Sequence, residues 1–217
     1  MMTHIKQYYL QKKWWLIKYP IIFLIIISAL IIALNTTKQP LFDNDYSHII
    51  LDKNNEILRV YLNKKEQWIF PIEYQSTIPK KLETAIINFE DQYFYYHIGI
   101  NPISIINAWR MNRKYGRVIS GASTITMQLA RLSHPKPRTY KNKCLEILQA
   151  FKLELTHTKK ELLEQYITHA PFGSNIQGFY AASYFYFNRA PSNLTWAEAA
   201  LLAVLPNAPS TINPLKN

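Results

Sequence analysis

Read as a pattern of apolar and polar positions, the chain falls into three regimes. From Trp14 to Leu34 every residue is apolar except Lys18, Ser28 and the helix-disfavouring Pro20. A helical run of about 20 such residues is long enough to span a bilayer. From His48 the period shortens. Ile49-Ile50-Leu51 and Ile57-Leu58-Arg59-Val60-Tyr61 flank Asp52-Lys53-Asn54-Asn55-Glu56, which predicts strand, turn and strand, with Trp68-Ile69-Phe70 expected to add a third strand. From Pro79 onward helical periodicity takes over. Leu82, Ala85, Ile86, Phe89 and Tyr93 recur at helical spacing and predict a helix with one face to a core. Pro79 suits its first turn, and Gly99 and Pro102 suit its end.

A second helix is expected after Pro102, with Ile103, Ile106 and Arg110 near one face. A third runs over Ile125 to Leu132 behind Gly121-Ala122-Ser123-Thr124, where Ser123 is the expected N-cap. Arg138-Thr139 opens a long helix to about Leu155. Thr158-Lys159-Lys160-Glu161 and Thr195-Trp196-Ala197-Glu198 are capping boxes, each starting a helix. Between them Pro171, Gly173 and Gly178 predict a loop, and Ala181-Ala182 with Tyr184 to Phe187 predict a core helix. The organisation read from these signals is a tail over residues 1–13, a transmembrane anchor over 14–34 and a linker over 35–47. A domain over 48–217 follows, with a β element at 48–75 and a mainly α region at 76–217.

Charge narrows the partners. The net charge is +11 and the pI about 9.6, which points to an anionic partner: nucleic acid, a membrane surface or a phosphorylated substrate. Lys6, Lys12 and Lys13 precede the apolar run, and no acidic residue occurs before Asp43. The positive-inside bias then places the tail in the cytoplasm and the domain outside, with Trp14, Trp15 and Tyr19 at the cytoplasmic interface. A cleaved signal peptide is the rival reading, against which stands the lack of a small-x-small site after the run. A domain outside the membrane meets no chromosome, so nucleic acid drops out. The single cysteine, Cys144, excludes an intramolecular disulfide and a cysteine-rich metal site, and is expected as a small buried side chain.

The chemistry concentrates in three places. On a continuous helix Glu90, Phe94 and His97 would fall at i, i+4 and i+7, on one face. A carboxylate at the edge of an aromatic surface is partly desolvated, which raises its pKa and makes it a better proton acceptor near neutral pH. Thr124, Gln128 and Arg131 form a polar stripe ending in a cation, and Lys143 and Glu146 share a face. Taken singly, these also read as surface acids, a solvated helix face and a surface ion pair. Together, Glu90 and Glu146 flanking the cations Arg131, Arg138 and Lys143 suggest more. Paired carboxylates suit chemistry at an anomeric carbon, and guanidinium groups grip phosphate. The combination suggests a sugar carried on a phosphate at a membrane surface.

These residues resemble a known family. Glu90-Asp91-x-x-Phe94-x-x-His97-x-Gly99, then Gly121-Ala122-Ser123-Thr124-Ile125-Thr126-Met127-Gln128-Leu129-Ala130-Arg131, then Lys143-x-x-Glu146 follow the order and near the spacing of the peptidoglycan glycosyltransferases, glycosyltransferase family 51. Glu161 to Gly178 and Leu194 to Pro209 resemble that family's fourth and fifth motifs. The stretches from Gly116 to Ser123 and from Ala170 to Gly173 are similar to the penicillin-binding proteins of type 1C. The resemblance implies a mainly α, lysozyme-like fold with a membrane-associated jaw. It implies polymerisation of lipid II into glycan on the outer side of a bacterial cytoplasmic membrane, with release of undecaprenyl pyrophosphate. By that resemblance Glu90 is the general base and Glu146 the second acid, which orders a cationic pocket of Arg131, Arg138 and Lys143. Ser123, Thr124 and Gln128 line it, and Asp91 and His97 hold the first motif.

One departure matters. Where the family usually has an arginine one turn before Arg110, this chain has Asn107, and Arg110 is read as a partial replacement on the substrate side. No cofactor or metal is implied. The partners implied are lipid II, the growing glycan, the cytoplasmic membrane and other wall-synthesis proteins. The chain has no Lys-Thr-Gly signature, so no transpeptidase domain is expected in it. Two other readings stand beside the polymerase. One is a lysozyme-like muramidase, which needs neither anchor nor pyrophosphate pocket. The other is a degraded or scaffold homologue that binds lipid II without turnover.

Overall fold

The computed structural model describes residues 18–25, 27, 28, 40–43, 45–54, 56–71, 77–117 and 121–207. The chain divides into two units, Met1–Gln39 and Pro40–Asn217.

In the first unit, residues 18–25, 27 and 28 are helical and form α1. Tyr19, Ile21, Ile22, Phe23, Leu24 and Ile25 are exposed, and the Ser28 hydroxyl donates back to the Leu24 and Ile25 carbonyls. That bond satisfies a polar side chain inside an apolar helix. The tail over 1–13 and most of the expected anchor and linker lie outside the described residues. Among the described residues no helix is long and apolar enough to cross a membrane.

In the second unit, β1 (His48–Leu51) and β2 (Ile57–Tyr61) form the expected antiparallel hairpin, with Ile49 opposite Val60 and a bulge between Ile50 and Leu51. The Asp52 carboxylate accepts from the amides of Asn54 and Glu56 at 2.8 Å, which closes the turn. The third strand, β3 (Trp68–Ile69), does not join them. It pairs in parallel with β4 (Ile176–Gln177), inside the segment expected to be a loop. A two-residue strand carries no readable periodicity, so its partner is set by tertiary contacts. The pairing ties the β element to the helical region. Phe42 adds a second tie by stacking on the buried ring of His169 at 3.7 Å, where burial lowers the imidazole pKa to about 4.

Seven further helices follow: α2 (Lys80–Glu90), α3 (Pro102–Tyr115), α4 (Ile125–Ser133), α5 (Tyr140–Thr156), α6 (Lys159–His169), α7 (Phe179–Phe187) and α8 (Trp196–Val204). Both capping boxes form as read, at Thr158 with Glu161 and at Thr195 with Glu198. Helix α4 packs on α5 and α6, and α2 lies along α8. Leu82, Ile86, Phe94, Ile125, Leu129, Leu162, Leu163, Tyr166, Phe179 and Leu202 join in one core. Gly178 is required: its φ is +83°, and a Cβ there would lie 2.4 Å from the Thr168 carbonyl oxygen.

Two expectations need correction here. First, α2 stops at Glu90. Asp91 leaves the helix at φ −161°, and Phe94–Tyr96 forms a separate 3-10 turn that drives Phe94 fully into the core. Glu90, Phe94 and His97 therefore do not share one helix face. The buried stripe ends before the helix does: Leu82 and Ile86 are buried, whereas Phe89, still inside α2, and Tyr93 beyond it are exposed. Second, Cys144 is exposed, because only Ala150 and Leu153 of α5 are buried and the N-terminal half of that helix stands clear of the core. The expected helix after Pro102 forms as α3, and it exposes its apolar residues. Ile103, Ile106, Trp109 and Met111 are exposed, and only Ala108 is buried.

Candidate active site

Glu90 occupies the last position of α2, where the helix gives way to the turn of the first motif. Its Oε2 accepts from Gln128 Nε2 at 2.6 Å, and its Oε1 accepts from Asn207 Nδ2 at 2.7 Å. Burial pushes its pKa above the ordinary value, while the bonds from Gln128 and Asn207, the nearby Tyr166 hydroxyl and the charge of Arg131 pull it back. The buried Tyr166 hydroxyl donates to Gln128 Oε1, at 3.4 Å. Its own pKa is driven well above the usual phenol value, chiefly by burial and then by the Glu90 charge.

Asp91, next in the chain, faces away from the cleft. Its buried carboxylate accepts from the Ile125 amide at 3.1 Å, at the positive end of α4. It also binds His97 Nε2 at 2.8 Å, and His97 packs edge-on against Phe94. Asp91 and His97 thus fix the turn that follows Glu90 to the start of the helix that carries Gln128.

The N-cap of α4 is Thr124, not Ser123. Thr124 Oγ1 accepts from the Met127 amide at 3.1 Å and donates to the Gly99 carbonyl at 2.6 Å. That second bond locks α4 to the first motif, and it leaves the Ser123 hydroxyl outside the helix. Ser123 Oγ instead accepts from Lys143 Nζ at 2.7 Å, and Lys143 also donates to Glu146 Oε1 at 2.7 Å. Glu146 is the more buried partner of that pair, at 11% side-chain exposure against 39%.

A cleft of about 1010 Å³ brings these groups together. Glu90, Ser123, Gln128, Arg131, Arg138, Lys143 and Glu146 all line it. Asp91, His97 and Thr124 do not, and act on its walls from behind. Arg110 and Asn107 are exposed on α3 and are not among the lining residues. Sequence reasoning missed Asn207, His134 and Lys136. His134 and Lys136 lie between two cations already singled out, and that position was the available signal. Asn207 is 117 positions from Glu90, and its only signal was its place inside the stretch from Leu194 to Pro209.

The arrangement sets one desolvated carboxylate, held by neutral amides, in the same cleft as a wall of cations. Such a carboxylate suits taking a proton from a hydroxyl, and such cations suit receiving negative charge on a leaving group. Among the described residues no group of three or more His, Cys, Asp or Glu is placed to hold a metal.

A family model described as transglycosylase matches residues 54–217. The chain is 40% identical over 175 residues to penicillin-binding protein 1C of Escherichia coli K12, covering 81% of this chain and 23% of that protein. It is 38% identical over 170 residues to penicillin-binding protein 1F of Bacillus subtilis 168, covering 76% of this chain and 23% of that one. It is 41% identical over 138 residues to penicillin-binding protein 1A of Aquifex aeolicus VF5, covering 63% and 19%. The chain thus spans about a quarter or less of the length of these relatives.

Proposed function

Since the chain belongs to the transglycosylase family, we propose that it is a peptidoglycan glycosyltransferase that polymerises lipid II in cell-wall synthesis. One observation carries this reading: Glu90, with its raised pKa, and the cations Arg131, Arg138 and Lys143 line the same cleft. Glu90 takes the proton from the acceptor's 4-hydroxyl. The freed oxygen attacks the anomeric carbon of the donor chain from the opposite face, with inversion. The bond to phosphate breaks, and its electron pair leaves on undecaprenyl pyrophosphate, where the cations receive the charge. Glu146 serves by holding Lys143, and Ser123 sets that ammonium from the other side. The step needs no cofactor, since base and leaving-group stabilisation both come from side chains.

A membrane setting fits both units. Exposed apolar side chains on α1 agree with a single-pass anchor over residues 14–34, and the exposed apolar residues of α3 suit a lipid surface. The domain then works on the outer side of the cytoplasmic membrane, on lipid II and the growing glycan, alongside other wall-synthesis proteins and without nucleic acid. Asn107 is the observation that favours a second reading, a homologue that binds lipid II without turnover. Incubating the detergent-solubilised protein with labelled lipid II separates the two. A glycan ladder with released pyrophosphate lipid supports the polymerase, and bound but unconverted lipid II supports the scaffold.

A further inference from the structure

Glu90 ends α2, so its carboxylate stands where the peptide dipoles leave partial negative charge. It is also partly buried. Both effects disfavour the ionised form, and the carboxylate needs donors. Gln128 supplies one to Oε2, its amide oriented from behind by the Tyr166 hydroxyl. Oε1 accepts at 2.7 Å from Asn207, in a bond more exposed than the one from Gln128. Asn207 closes the 3-10 turn Leu205–Asn207 that follows α8. Leu205 is fully buried and pins that turn, whereas Asn207 is itself exposed and lines the cleft. Its carboxamide is therefore not a packing element of the fold.

We propose that Asn207 is a positioning residue for the reaction, holding Glu90 Oε1 toward the cleft so that this oxygen takes the acceptor's proton. The proposal rests on the reading of Glu90 as the base. A carboxylate oxygen has two lone-pair sites, so Oε1 keeps one for the acceptor hydroxyl while Asn207 occupies the other. The proton passes to Oε1 as the hydroxyl oxygen forms its bond to the anomeric carbon. The bond from that carbon to phosphate breaks, and the electron pair leaves with the pyrophosphate. Asn207 favours the ionised base before transfer and its return afterwards. It also makes the base depend on the closing turn of the domain being docked.

The other groups around Glu90 are known. Arg131 of α4 and the Tyr166 hydroxyl of α6 act on it directly. Lys143 and Glu146 of α5 share the cleft, as do His134, Lys136 and Arg138 between α4 and α5. Glu198, the one titratable residue of α8, is bonded back to the Thr195 amide. None of these is a hydrogen-bond partner of Asn207, whose side chain donates to Glu90.

The test is the pH dependence of lipid II polymerisation by the full chain in detergent, with Asn207→Ala, Asn207→Gln and Glu90→Gln beside the wild type. Asn207→Ala is expected to lower kcat on the order of tenfold, as for loss of one hydrogen bond to a charged group. The acidic limb of its kcat/KM profile should move to higher pH, with KM for the donor little changed. Asn207→Gln should recover part of both. If Glu90→Gln is inactive but Asn207→Ala keeps the wild-type rate and acidic limb, the role of Asn207 is overturned and the base stands. A rate loss with no movement of the limb and no recovery by Gln also overturns it. If Glu90→Gln turns over normally, the base itself is misassigned, whatever Asn207→Ala does.

Discussion

Gln128 Nε2 donates to Glu90 Oε2 at 2.6 Å, joining the last residue of α2 to the first turns of α4. The bond opposes the burial that raises the Glu90 pKa, so it sets how much of the base is ionised near neutral pH. Gln128→Ala removes a donor to the charged form. The acidic limb of kcat/KM should then move to higher pH, and the rate at neutral pH should fall about tenfold or more. Steady-state kinetics across pH checks both.

The same burial predicts a stability effect. Glu90 has a folded pKa above its unfolded value, so the stabilisation it offers is present at low pH, with the acid neutral, and is lost as pH rises through the folded pKa. Glu90→Gln removes that loss. Its melting temperature should exceed the wild type's at neutral pH, and the gap should close near pH 4, about the ordinary carboxylate value. Thermal denaturation of both proteins at the two pH values measures it.

Lys143 stands between Ser123 and Glu146, at 2.7 Å from each. If Glu146 acts by holding this cation, Lys143→Ala and Glu146→Ala remove one shared contribution. Their effects on affinity for a phosphoglycolipid inhibitor of the moenomycin type should be non-additive by roughly 0.5 to 3 kcal/mol. Additive effects, read by calorimetry of the singles and the double, would assign Glu146 a separate role.

Asn107 and Arg110 lie one turn apart on α3, both exposed. If Arg110 replaces a cation missing at 107, Asn107→Arg should tighten donor binding. Arg110→Ala should then cost less beside Asn107→Arg than alone. A double-mutant cycle on the KM for lipid II checks this, and simple additivity makes Arg110 an ordinary surface residue.

Local signals in the sequence proved legible. Both capping boxes and the Asp52 turn depend on residues within four positions of each other, and each forms as read. Seven of the expected site residues line one cleft. What the pattern missed is non-local. The Ile125 amide, 34 positions away, is bonded by Asp91 where the chain leaves α2, and that contact belongs to no periodicity. Thr124 displaces Ser123 as cap because its hydroxyl also reaches the Gly99 carbonyl, a bond that only the folded chain supplies. Asn207 reaches Glu90 from the far end of the domain for the same reason.

The most direct measurement compares wild type and Glu90→Gln in polymerisation of labelled lipid II, with circular dichroism to confirm that both are folded. Gln keeps the size of the side chain but cannot take the proton, and loss of a general base costs about 10² to 10⁴ in rate. The account predicts a glycan ladder from the wild type and a rate at least about a hundredfold lower from the folded Glu90→Gln protein. Equal turnover by the two would contradict it.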